Sequence, residues 1–150
     1  MTKTYSDLGY DKIFVALDGS DLQYKVLDRA ITTAANDNAE LYIGHVIDST
    51  ALETTGVYPS GLISALEEDF RNSIAEQIAK AQAEPNIKKV ALIVKAGRIR
   101  ETLKDEMLDE INPDLVVCGA RGLSPIKYAL LGSISTFLIR TAKVDTLVVK

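Results

Sequence analysis

The run Ile13-Phe14-Val15-Ala16-Leu17-Asp18 decides the fold. Five apolar residues in a row lack the polar alternation of a half-exposed strand. They predict a strand over 13–18 covered on both faces, hence a central strand of a parallel sheet. Outward from it, Asp18-Gly19-Ser20-Asp21 offers a turn and several N-cap oxygens, and Leu22, Val26, Ala30, Ile31 and Ala34 then form one stripe of a helix that Asn36-Asp37-Asn38 ends. Residues 41–47 read as a second strand and 48–61, polar and containing Gly56, Pro59 and Gly61, as a loop. Leu62, Leu66, Phe70, Ile74 and Ile78 predict a helix that Pro85 stops. A strand at 90–94, a helix marked by Ile99, Leu103, Met107 and Ile111, and a strand at 115–118 follow. A last helix with Ile134, Phe137 and Leu138 inward and a fifth strand at 146–149 close the chain. Strands alternating with helical stretches predict an α/β fold wound on a parallel sheet, with ligands beyond the carboxyl ends of the strands where strand order reverses.

With 150 residues and 47% of them apolar, one compact core is expected. The first dozen residues, MTKTYSDLGYDK, are polar, and no apolar run approaches the ~20 residues of a membrane span, so a cytoplasmic protein without a membrane partner is expected. A net charge of −4 argues against a nucleic-acid partner, and any polyanion must be held locally. One cysteine, Cys118, excludes a disulfide framework and reads as a buried, inert thiol. One histidine, His45, excludes clustered imidazole ligands, although Mg²⁺ held by one or two carboxylates and phosphate oxygens stays open.

The chemistry is expected between Gly119 and Ser135. Gly119-Ala120-Arg121-Gly122, nine residues from Leu123 to Leu131, then Gly132-Ser133-Ile134-Ser135 lead from a strand into a helix. Glycines let backbone amides approach an anion closely, and a helix start presents unpaired N–H groups and a positive dipole end to phosphate oxygens. The Ser133 hydroxyl adds a donor, and Arg121 and Lys127 add charge. The plainer reading is that these glycines serve tight turns. Neither a P-loop motif nor a G-x-G-x-x-G after the first strand is present.

The pattern glycine, two residues, glycine, nine residues, glycine-serine resembles the nucleotide-binding signature of the universal stress protein family, in its ATP-binding branch. Val-Ala-Leu-Asp-Gly-Ser at 15–20, His-Val-Ile-Asp at 45–48, Asp-Leu-Val-Val-Cys-Gly at 114–119 and Leu-Leu-Gly-Ser-Ile-Ser at 130–135 extend the similarity from Lys12 to Lys150. The resemblance implies a five-stranded parallel sheet of order 3-2-1-4-5 with helices on both faces, a Rossmann-like fold of the adenine nucleotide alpha hydrolase type. It implies one nucleotide-binding domain over 12–150 behind an N-terminal extension of residues 1–11. Asp18 would face the glycine loop, Val46 would line the adenine, and the backbone of Ala16 and Leu17 would meet the base. Gly119, Gly122, Gly132, Ser133 and Ser135 would contact ribose and phosphates, and Arg121 and Ile134 of the same stretch count among the cofactor-binding residues. The ligand implied is ATP, or ADP or AMP, with Mg²⁺ on Asp18 as an option. Where the family often has a proline near the last strand, this chain has Lys143-Val144-Asp145-Thr146.

Plainer roles stand beside these. Asp18 suits a turn or helix cap, His45 a hydrogen-bonded packing residue, and Ser133 a cap rather than a nucleophile. Arg98, Arg100 and Lys104 read as a solvated face. The function expected is a stress-related regulatory module, with a slow Mg²⁺-dependent ATPase or phosphotransferase, or a scaffold with a vestigial pocket, as the competitors. The apolar last strand predicts a homodimer through residues 144–149, since an uncovered edge invites pairing.

Overall fold

The computed structural model describes residues 4–50, 61–120 and 132–150. Behind a single 3₁₀ turn, Tyr5–Leu8, come β1 (Lys12–Leu17), α1 (Gln23–Asp37), β2 (Glu40–Asp48), α2 (Leu62–Ser73), α3 (Ala75–Ala83) and β3 (Lys89–Gly97). A composite helix, α4, runs through Ile99–Glu101, Thr102–Leu108 and Asp109–Ile111, and β4 (Leu115–Gly119), α5 (Ser133–Thr141) and β5 (Asp145–Val149) complete the chain. The sheet is parallel throughout, in the order 3-2-1-4-5.

β1 lies at the centre because both of its faces are apolar. Ile13 pairs with Leu41 of β2 on one side and with Leu115 of β4 on the other. Ile13, Val15 and Leu17 point into a core shared with α1, α2 and α3, while Phe14 points into a second core with Leu103 and Met107 of α4 and Leu138 of α5. Helices thus cover both faces. At the opposite end the carboxylate of Asp114 accepts the N–H groups of Asp11 and Lys12 at 2.9 and 2.8 Å, fixing where β1 begins.

Two helices depart from the sequence pattern for the same reason. An apolar residue every fourth position overshoots a 3.6-residue turn by about 40° each time, so a straight α-helix carries the stripe off the core. The helix expected over 62–78 and on to Pro85 breaks instead at Ile74 (φ −116°, ψ 10°), beside Ser73, whose hydroxyl donates to the Phe70 carbonyl at 2.6 Å. The break resets the stripe and leaves both Phe70 and Ile74 buried. α4 uses the other solution: Thr102–Leu108 is π-wound, the Asp109 N–H reaching back to the Lys104 carbonyl, and the wider turn keeps Leu103, Met107 and Leu108 inward. β3 also runs past the expected 90–94, because a half-exposed edge strand tolerates Lys95, which pairs with Glu106 at 3.6 Å.

Candidate functional site

β1 ends at Leu17 and the chain must turn at once into α1. Gly19 takes φ +84°, open to glycine and strained for other residues, and the Asp18 carboxylate accepts the Ser20 N–H at 2.9 Å and the Ser20 hydroxyl at 2.6 Å through one oxygen. Asp18 is therefore a turn-former, and it also lines a cavity of about 290 Å³ at the carboxyl ends of β1 and β4. The cavity lies where strand order reverses.

Ala16, Leu17 and Val46 reach this cavity from β1 and β2, and Gly119 reaches it from the end of β4. Gly132, Ser133, Ile134 and Ser135 reach it from the start of α5. Arg121, Gly122 and Lys127, with most of the loop 48–61, lie outside the described residues.

At the start of α5 the Gly132 amide is not a free donor. The Gly132 N–H is already bonded to the Ala120 carbonyl at 2.6 Å, and the Ala120 N–H in turn donates to the Val149 carbonyl of β5 at 2.7 Å. The free donors are one residue further on. Gly132 has no side-chain cap, and the first helical bond runs from Thr136 to the Gly132 carbonyl. This leaves the N–H groups of Ser133, Ile134 and Ser135 without partners among the described residues. The Ser135 hydroxyl donates to the Gly132 carbonyl at 2.9 Å, which holds the turn together.

Side chains read from the sequence as core or surface also line the cavity. Leu22 just before α1, Val26 of α1, Ile99 and Leu103 of α4, and Cys118 of β4 are among them. Each sits on an apolar stripe, and only the end of the stripe facing the strand tips is uncovered. Burial pushes the Cys118 thiol up to about 11, so it is protonated and a poor nucleophile at neutral pH. Gln23, a polar residue beside the α1 stripe, lines the cavity too; its only signal in the sequence was a spacing of four from Gly19. Among the described residues no three His, Cys, Asp or Glu side chains gather as metal ligands.

His45 lies outside the cavity lining. Its Nδ1 is 2.8 Å from the Leu17 carbonyl and its ring stacks on Phe70 at 3.9 Å, the packing role expected for it. Burial holds its pKa below the usual histidine value, against smaller opposing effects of the Leu17 carbonyl and the Asp18 charge. A histidine more acidic when folded binds a proton better when unfolded, so its contribution is intact above the ordinary value of about 6.5 and is lost as pH falls through the window below it. As the single histidine, it makes a clean prediction. Denaturant midpoints should drop between pH 7.5 and 5.5, and His45→Gln should flatten that drop.

The chain resembles known proteins along nearly its whole length. A Staphylococcus aureus (strain USA300) protein named for the universal stress family is 28% identical over 141 residues, 94% of this chain and 84% of that one. The fold matches universal stress protein UspA from Lactobacillus plantarum with a TM-score of 0.76 at 19% identity, covering 95% of this chain and 99% of that one. It also matches a universal stress protein crystallised in complex with cAMP, with a TM-score of 0.61 at 27% identity, covering 94% and 97%. Residues 9–150 match the Universal stress protein family, and the chain belongs to that family.

Proposed function

We propose that this protein is a regulatory module that holds an adenine nucleotide, ATP or its di- or monophosphate, in the cavity between β1 and β4. The observation that carries the reading is the bare start of α5: three N–H donors and a positive dipole end at a cavity wall suit phosphate oxygens, and uncharged donors let a chain of net charge −4 hold a polyanion. The apolar wall of Ala16, Val46, Ile99, Leu103 and Ile134 suits a purine face. In this reading Gly119, Arg121, Gly122 and Gly132 let the backbone close on ribose and phosphates. Ser133 adds a hydroxyl and Ser135 its amide, Leu17 meets the base through its backbone, and Asp18 presents its second oxygen to the ligand or to a Mg²⁺ ion carried with it. The cAMP complex of a related protein supports the ligand class. Mass spectrometry of small molecules released on denaturing the freshly purified protein, followed by calorimetry with ATP, ADP, AMP and cAMP, tests the reading. Micromolar binding of at least one is expected, and no heat with any of the four contradicts it.

The module acts as a homodimer in this proposal. Among the described strands β5 pairs with β4 alone, and the apolar side chains Ile139, Val144 and Leu147 around it are 44%, 37% and 39% exposed. A bare edge with an apolar fringe favours pairing with a second copy. Light scattering should give a dimer for the wild type and a monomer for Val144→Asp/Leu147→Asp; a wild-type monomer at tens of micromolar removes this part of the proposal.

A further inference from the structure

Gln23 opens α1, is 3% exposed and lines the same cavity. The Gly19 N–H bonds to the Gln23 side chain at 3.1 Å, and only an oxygen accepts it, which fixes the two ends of the carboxamide. Oε1 faces Gly19, and the –NH₂ group carries two protons that no described residue accepts. Among the described residues no fully enclosed side-chain polar atom lacks a partner, so this –NH₂ group opens onto the cavity, where a ligand oxygen can accept from it.

Its position says which part of the ligand. Val26, and Leu22 packed beside it, belong to the core beneath α1, whereas Val46, Leu103 and Ile134 belong to the core on the other face of the sheet. The cavity therefore passes over the tips of β1 and β4 from one layer to the other, with the apolar wall on the α4 side and Gln23 on the α1 side. We propose that Gln23 is a specificity-determining residue whose –NH₂ donates to an oxygen of the phosphate chain, so that a linear polyphosphate is gripped from both faces of the sheet, by the α5 amides and by Gln23. This rests on the nucleotide reading above. With the base lodged against the apolar wall, the phosphate chain is the part left to extend toward α1. A neutral donor suits the place, since a lysine or arginine here would be drawn into an ion pair with Asp18, the residue that precedes Gly19.

The test is calorimetric titration of Gln23→Glu and Gln23→Leu with ATP, AMP and adenosine at pH 8. Glutamate keeps an oxygen for the Gly19 N–H and sets a second, negative oxygen where the –NH₂ stood. ATP should bind Gln23→Glu about tenfold or more weakly, with adenosine within about twofold of wild type. Gln23→Leu, lacking both ends, should lose ATP affinity by a similar factor and also melt earlier. Equal losses for ATP and adenosine in Gln23→Glu mark Gln23 as a turn-former only. That result, or ATP affinity unchanged in both variants, overturns this inference while leaving the nucleotide reading standing. Failure of the unaltered protein to bind any of the three ligands removes the reading itself.

Discussion

Gly44→Val should be the most destabilising single change in the sheet. Valine favours strands and glycine weakens them, so local propensity predicts a gain at this β2 position. Packing reverses the sign. A Cβ at residue 44 would stand 2.5 Å from Cε2 and Cζ of Phe14 and 3.0 Å from Sδ of Met107, and both side chains are fully buried. The Phe14 ring lies against the bare backbone of β2, in the same buried cluster as Leu103, Met107 and Leu138. Overpacking of this kind costs about 3 kcal/mol, a fall of about 10 °C in thermal midpoint for a domain of this size. The double variant Gly44→Ala/Phe14→Leu should be more stable than the sum of its single changes implies, because leucine lacks the ring atoms that collide. A Gly44→Val protein that melts with the wild type refutes this account of the core beside Val46.

Ser133→Pro should weaken nucleotide binding sharply while sparing the helix. Proline is well accepted at the first position of a helix, where its missing N–H has no intrahelical partner, and Gly132 at φ −71° and ψ 166° already has the extended shape that a following proline demands. The substitution deletes one amide and one hydroxyl from the cavity wall and little else. Loss of a donor to a charged oxygen is worth about 1.5–3 kcal/mol, so ATP affinity should fall by a factor of about 10–100 with the thermal midpoint unchanged or raised. Ser133→Ala, which keeps the amide, should lose much less. If the two variants bind alike, the backbone of α5 is not the phosphate site.

The contrast between these positions explains what could be read from the sequence. Ile13-Phe14-Val15-Ala16-Leu17 announced a doubly covered central strand, because burial on two faces removes every polar position. The four-residue spacing of Ile99, Leu103, Met107 and Ile111 announced a helix but not its π winding, since the drift of such a stripe can be absorbed by a wider turn or, as at Ile74, by a break. Ser133 was legible from the helix start it occupies, Asp18 and Val46 from family resemblance, and all three line one cavity. Gln23 was passed over because a glutamine in a first helical turn looks like any solvated side chain, and only the positive φ of Gly19 brings an N–H within its reach. The bond between Gly132 and Ala120 was equally hidden, since a backbone pairing leaves no mark on residue type.

The register of the central strand also bears on how the chain comes to be folded. Ile13 meets Leu41 early, but its other neighbour, Leu115, lies 102 positions further along. Closing so long a loop delays the pairing, and during synthesis the first three strands leave the ribosome well before β4 exists. For that interval the most apolar strand of the protein has one open side, and the emerging chain is at its most vulnerable to aggregation.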